Sequence, residues 1–232
     1  MKGRLVWPAP HSRTVGGISG RPRLGWYRRY RTALDRALAA ILVLALAPVW
    51  PLIALAIKLD SPGPVVYRQR RVGLNGTPFT MYKFRTMFVD CDDSLHRVAF
   101  ERFFHARSLS ETGATTFKLC HDPRITRVGR FLRSTSLDEL PQLFNVLNGT
   151  MSLVGPRPPI PYETDKYERR HWQRLTVRPG MTGVWQVSAR NRVPFEQMFA
   201  MDLDYIKRQS LLLDLKILLL TVGAVVNRSG AG

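Results

Sequence analysis

Two adjacent carboxylates, Asp138 and Glu139, lie within STSLDELPQLFNVLNGTMSLVGPRP, the stretch from Ser134 to Pro158. Neighbouring acids on a helix point about 100° apart, so they cannot flank a sugar as a glycosidase pair does. They can instead divide the work of phosphoryl transfer, one attacking phosphorus while the other holds a hard cation through oxygen. With an ordinary pKa of about 3.9, an aspartate is ionised at neutral pH and needs no activating base. Attack on a diphosphate requires screening of like charge, which Mg²⁺ and nearby basic residues such as Arg133 and Arg157 can supply. Ser136, Leu137, Asp138 and Glu139 also read as a capping box, in which Ser and Glu satisfy helix-start amides. Pro141 then falls where a helix would lose a backbone hydrogen bond. Spacing alone leaves both readings open, cap and catalyst.

The elements that must position these residues are partly legible. Val65 to Val72 and Phe79 to Thr86 have strand composition and flank the turn signal Gly73-Leu74-Asn75-Gly76, which predicts a hairpin. The two-residue strand period places Lys83 and Arg85 on one face. An amphipathic helix is predicted around Ser94 to Ala106, and DPRITRVGRFLR forms a basic connector into the acidic pair. Pro179-Gly180 marks a turn before a predicted strand at Val184 to Val187. Phe195, Met198, Phe199, Tyr205 and Ile206 share one face of a predicted helix that starts near Pro194. The last apolar stretch, LLLDLKILLLTVGAVV, contains Asp214 and Lys216; its charge-free remainder is too short to span a membrane, which predicts core packing or an interfacial position.

Ala37 to Ile57 carries no charge. As one straight helix it would be about 31 Å long, enough to cross a bilayer core. Pro48 and Pro51 interrupt it, and each removes a helical hydrogen bond. Basic residues flank it on both sides, Arg28, Arg29, Arg31 and Arg36 before, then Lys58, Arg68, Arg70 and Arg71 after. A spanning helix shows a Lys/Arg bias to one side, so a segment entering and leaving by the cytoplasmic face fits better. A tilted, kinked span remains the alternative. The formal charge of +18 across 232 residues favours an anionic partner: nucleic acid, an acidic membrane surface or a phosphorylated small molecule. Cys91 and Cys120, without CxxC pairing, argue against a disulfide framework and against structural zinc.

In combination these pieces resemble the bacterial sugar transferase family, the monotopic phosphoglycosyl transferases that act on polyprenyl phosphate. The resemblance rests on the Pro-broken apolar segment, GPVVYRQRRVG, YKFRTM, DPRITRVGRFLRSTSLDELPQLFNVLNGTMSLVGPRP, RPGMTGVWQVSARN and LLLDLKILLLT, in order from about Arg31 to Thr221. It implies an Asp138–Glu139 catalytic dyad: Asp138 attacks the sugar-proximal phosphate of a UDP-sugar, UMP leaves, and polyprenyl (undecaprenyl) phosphate takes the phosphosugar. Glu139 would help bind Mg²⁺, with Mn²⁺ as a substitute. Lys83 and Arg133 match basic residues near the reacting phosphates, and Arg157 matches the Pro-Arg-Pro motif. Arg190 corresponds to a nucleotide- or phosphate-binding Arg, although SARN stands where Gly-Arg-Asn is usual. Asp214 aligns with an acidic position near the site, and Pro48 with the proline that breaks the re-entrant helix.

The expected fold is α+β, a small cytoplasmic catalytic domain with a Pro-broken re-entrant membrane helix and interfacial amphipathic helices. The expected divisions are a basic tail at 1–25, the membrane hairpin at 26–60, the catalytic domain at 61–226 and a C-terminal tail at 227–232. The resemblance implies the catalytic unit alone, at the cytoplasmic face of the bacterial inner membrane and in contact with membrane lipids. A homo-oligomer is compatible with the sequence. A membrane-tethered nucleic-acid-binding protein would also use the positive charge. It leaves the dyad and the Pro-Arg-Pro turn without a role, so no nucleic acid partner is expected. A catalytically silent scaffold is disfavoured by the intact acidic pair.

Overall fold

The computed structural model describes residues 24–91, 94–105, 122–188 and 193–226. Among them the chain runs α1 (Leu24–Ala45), α2 (Val49–Asp60), β1 (Val66–Val72), β2 (Pro78–Phe84) and α3 (Ser94–His105). It continues through α4 (Arg127–Ser134), α5 (Gln142–Leu147), β3 (Ser152–Val154), α6 (Pro161–Thr164) and β4 (Gly180–Thr182). α7 (Val184–Ser188), α8 (Phe195–Arg208) and α9 (Leu211–Val226) complete it. Two separate two-stranded sheets among helices make the chain α+β. Leu24 and Gly25 already belong to α1, while the rest of the expected N-terminal tail and the 227–232 tail lie outside the described residues.

The uncharged segment is a bent pair, with Arg29–Ala45 and Val49–Asp60 meeting at 67°. Among the described residues no single helix is long and apolar enough to cross a membrane. Pro48 sits immediately before α2 and at the break. Pro51 does not bend the chain. It lies in the first turn of α2, where its absent N–H would have found no intrahelical partner.

A strip with four-residue spacing fastens α1 to the body of the protein. Arg31 lies 2.9 Å from Asp214 of α9 and donates to the Tyr205 hydroxyl at 2.9 Å and to the Val154 carbonyl. Asp35 accepts from the Ser152 hydroxyl, and Ala39 is buried in the core formed with Leu143, Val146 and Met151. α2 buries Ile53 and Ile57 against Phe84 and Leu132, while Leu52, Leu55 and Leu59 stay exposed. Arg85 closes its end by donating to the Ser61 carbonyl at 2.7 Å and the Pro62 carbonyl at 2.6 Å. A cation there satisfies otherwise orphaned carbonyls and opposes the helix dipole.

β1 and β2 form the expected antiparallel hairpin, paired from Val66↔Phe84 to Val72↔Pro78. Asn75 and Gly76 take φ of 54° and 79°, the left-handed conformation that the Asn-Gly turn signal favours. The α8 face is also as expected, and it additionally buries Asp202. The predicted strand at Val184 to Val187 is instead helix α7, and the strand lies earlier, at Gly180–Thr182. Its β-branched residues give way to packing, because the helical turn buries Trp185 among Phe100, Phe103 and Phe195. α9 buries Asp214 and Ile217 but exposes Leu212, Leu215, Leu219, Val222 and Val226, an apolar face of the kind that meets a partner or a membrane.

α4 is set on the end of the hairpin by one close approach. A Cβ on Gly129 would lie 2.1 Å from the Thr86 carbonyl oxygen. Gly129→Ala should therefore destabilise the protein by about 1–3 kcal/mol through overpacking. Gly223, whose Cβ would meet nothing within 4 Å, is the control. Thermal unfolding in detergent compares them, and equal melting of Gly129→Ala and Gly223→Ala would contradict this packing.

Candidate active site

α4 and α5 are joined by a tight connection that carries the acidic pair. Ser136 adopts the left-handed conformation at φ 56°, and Leu137–Glu139 form one turn of 3₁₀-helix. The capping box is not formed, since the Ser136 side chain makes no cap hydrogen bond. Pro141 does not interrupt a helix either; with φ −61° it precedes α5, where its fixed dihedral suits a helix start. A non-glycine residue held at positive φ costs energy, and such strain gathers where a chain must present particular side chains.

At three residues per turn, successive side chains fan about 120° apart. Asp138 and Glu139 nonetheless meet a common cation. Lys83 Nζ lies 2.8 Å from Glu139 Oε1 and 3.9 Å from Asp138 Oδ2. The Asp138 side chain is 11% exposed, whereas that of Glu139 is 36% exposed. One carboxylate is thus held in a recess and its neighbour faces outward. Lys83 comes from β2, and its place opposite the dyad is fixed by Asn145 of α5. The Asn145 amide accepts from Tyr82 N at 3.0 Å and donates to the Thr80 carbonyl at 2.7 Å, substituting for a third strand. Arg133, in the last turn of α4, donates to the Thr86 hydroxyl at 3.0 Å, just past the same strand. Lys83, Asp138, Glu139 and Arg133 are therefore gathered around the end of β2.

Arg157 belongs to a second construction. Four successive carbonyls each accept one hydrogen bond: Pro156 from Gly180 N at 2.9 Å, Arg157 from Arg174 at 3.2 Å, Pro158 from Arg71 at 2.8 Å and Pro159 from Val72 N at 2.9 Å. Arg71 and Arg174 are both buried, and Arg174 pairs with buried Asp202 at 2.8 Å. Burial, and beyond it the positive charge of Arg157, pulls the Arg71 guanidinium down to about 10, so it stays protonated at neutral pH. Burial pushes the Asp202 carboxyl up to about 6 against the opposing pull of Arg174. Arg71 was read in the sequence only as a flanking cation, and Arg174 and Asn145 were not singled out. Asp202 carried a readable signal, an acid at a core position of the α8 apolar stripe.

Asp214 lies at the α1–α8–α9 junction, where Arg31, Tyr27 and Tyr205 engage both of its oxygens. Arg190 lies outside the described residues. Among the described residues, no group of three or more His, Cys, Asp or Glu is placed to hold a metal ion. The adjacent carboxylates do fit a hard cation of the Mg²⁺ kind, which takes one or two carboxylates and completes its shell with substrate phosphate and water.

The chain belongs to the bacterial sugar transferase family, whose model matches residues 26–228. It is 43% identical over 207 residues to an uncharacterized sugar transferase of Haemophilus influenzae, covering 88% of this chain and 42% of that protein. It is 40% identical over 219 residues to the exopolysaccharide production protein ExoY of Sinorhizobium fredii, covering 94% of this chain and 90% of the relative. The UDP-glucose:undecaprenyl-phosphate glucose-1-phosphate transferase of Xanthomonas campestris is 43% identical over 205 residues, covering 85% of this chain and 39% of the relative. The chain thus spans about two fifths of two of these relatives and nearly all of the third.

The Arg157 support has a measurable energetic signature. Arg174→Met leaves the Asp202 carboxylate buried without its partner and should cost about 3–5 kcal/mol in denaturant unfolding at neutral pH. Arg174→Met/Asp202→Leu should recover most of that loss. An acid raised by burial favours its neutral form in the fold; its contribution is full below the unfolded value of about 3.9 and is lost as pH rises. The single variant's penalty should accordingly shrink on acidification. A double variant no more stable than the single one would remove the ion pair as the source.

Proposed function

We propose that this protein transfers a sugar 1-phosphate from a UDP-sugar to undecaprenyl phosphate or a related polyprenyl phosphate, releasing UMP, as the initiating step of polysaccharide or glycoconjugate synthesis. The observation that carries this reading is the recessed Asp138 carboxylate, set beside Glu139 and facing Lys83. Such a group is an oxygen nucleophile with cationic charge already in place for a phosphate. The names of the relatives, with undecaprenyl phosphate and UDP-glucose among their substrates, supply the chemical class of donor and acceptor.

In the first half-reaction an Asp138 oxygen attacks the sugar-proximal phosphorus. An Asp–O–P bond forms, the bond from that phosphorus to the bridging oxygen breaks, and UMP leaves with the electron pair. In the second half-reaction a phosphate oxygen of the lipid attacks the same phosphorus. The Asp138–phosphorus bond breaks, the carboxylate is restored, and polyprenyl-diphosphate-sugar is the product. Lys83 exchanges its contact with Glu139 for phosphate oxygen as the donor arrives. Arg133 and Arg157 take up the remaining phosphate charge, and electrostatic positioning of this kind is most of what phosphoryl transfer asks of a protein. Glu139 would hold Mg²⁺ or Mn²⁺, which would neutralise diphosphate charge.

The bent α1–α2 pair serves as a re-entrant anchor. Its exposed leucines lie in the lipid, and both flanks stay at the cytoplasmic face of the bacterial inner membrane, where basic residues oppose translocation. The acceptor phosphate at the headgroup layer and a soluble nucleotide donor then meet at one surface.

Asp138→Asn should abolish transfer while leaving the protein folded and membrane-bound, and Glu139→Gln should lower it severely. Wild-type protein given UDP-sugar without lipid acceptor should carry a phosphosugar on Asp138, detected by mass spectrometry of its peptides. Chelation should stop turnover and added Mg²⁺ restore it. Undiminished activity in well-folded Asp138→Asn would end the covalent reading.

Topology is tested separately with Gly20→Cys and Thr77→Cys, each in a background lacking Cys91 and Cys120. Both thiols should resist a membrane-impermeant reagent in sealed spheroplasts and react once the membrane is opened. Reaction of the residue 20 thiol alone in sealed spheroplasts would show that α1 and α2 together cross the bilayer.

A further inference from the structure

One charged feature lies outside the dyad and the Arg157 support. Between the end of α2 and the start of α4 is an open groove of about 480 Å³, lined by Leu59, Phe88 and Ile125 and by Asp60, Arg127 and Arg130. A water takes up about 30 Å³, so the groove accommodates a phosphate with part of its hydration shell. Arg127 and Arg130 are exposed. The Asp60 carboxylate faces the same space but is committed to α4: it accepts from Val128 N at 2.9 Å, and a hydrogen bond from Thr126 is the main cause holding it below its ordinary value. Two cations against one occupied carboxylate leave the groove positive. Its rim is apolar, with Leu59 79% exposed and Phe88 49% exposed.

We infer that this groove receives the phosphate of the lipid acceptor, a membrane-borne phosphomonoester whose chain lies along Leu59 and Phe88. The inference rests on the transferase reading and on the re-entrant placement, which sets the end of α2 at headgroup depth. Three features favour a lipid monoester. The apolar rim suits a hydrocarbon chain rather than a soluble phosphate. A monoester phosphate carries about −1.5 to −2 at neutral pH, more than the single charge of a phospholipid diester, and so suits two arginines better. Arg127, Arg130 and Arg133 also recur every third residue of α4, each step rising about 4.5 Å along the helix, toward the turn that holds Asp138. The groove is thereby a docking place from which the phosphate is handed to Arg133 and the dyad.

The test is binding of undecaprenyl phosphate to the full-length protein in phosphatidylcholine nanodiscs without donor, read by displacement of a fluorescent polyprenyl phosphate. Arg127→Gln/Arg130→Gln should weaken binding about tenfold, the equivalent of roughly 1.4 kcal/mol. Arg127→Lys/Arg130→Lys, which keeps both charges, should stay within about threefold of wild type, as expected for a point-charge interaction. UMP release from a UDP-sugar in single turnover, which reports the transferase reading by itself, should change no more than about twofold in the Gln variant. Unchanged acceptor binding in the Gln variant would overturn the inference even if UMP release is normal. Loss of the difference between wild type and variant when phosphatidylglycerol replaces phosphatidylcholine would also overturn it, by assigning the groove to bulk anionic lipid.

Discussion

The site depends on the side-chain amide of Asn145. Strand β2 has one edge paired with β1 and another that would otherwise lack partners. Asn145 fills that second edge with one acceptor and one donor, at Tyr82 N and the Thr80 carbonyl. A buried amide with matched partners on both sides fixes distance and register together. α5 is thereby fixed to the hairpin, and the turn preceding α5 must bring its carboxylates down beside the next strand residue, Lys83. That amide adds a fixed tie between Lys83 and the dyad, which belong to different elements.

Much of the fold was legible because local chemistry and tertiary need agree. The Asn-Gly turn made the hairpin readable, and the amphipathic stripe made α8 readable. The Ser136 capping box failed because its sequence pattern is degenerate. The same four residues serve a strained left-handed turn into a 3₁₀ segment, and nothing local announces which is used. α7 failed because β-branched composition yields to the burial of Trp185. The acidic pair, Lys83 and Arg133 were found in the sequence and the structure brings them together, whereas Asp214 is engaged at the α1–α8–α9 junction. The buried roles of Arg71, read only as a flanking cation, and of Arg174 were hidden for a general reason. Arginine reads as surface in any composition pattern, and only a three-dimensional arrangement shows that its guanidinium is buried beneath a loop.

The charge balance acquires a different meaning once the carboxylates are placed. The chain has 17 acidic residues against 35 lysines and arginines. Several acids are committed to partners within the fold: Asp202 to Arg174, Asp214 to Arg31, Asp122 to Arg124 and, at an open groove, Asp60 to the start of α4. Each Asp–Arg pair removes one charge of either sign, so the whole excess of +18 is carried by the residues outside these pairs.

The run from Pro156 to Pro161 has a spectroscopic consequence. Four of its six residues are prolines, so only Arg157 and Ile160 carry a backbone amide hydrogen. Ile160 gives its hydrogen to Glu163 at 2.9 Å. In an amide-detected magnetic resonance spectrum the segment contributes two signals, each separated from its neighbours by silent positions. The Arg157 resonance is thus an isolated reporter within the loop, and a change in its shift reads out events at that residue without interference from adjoining amides.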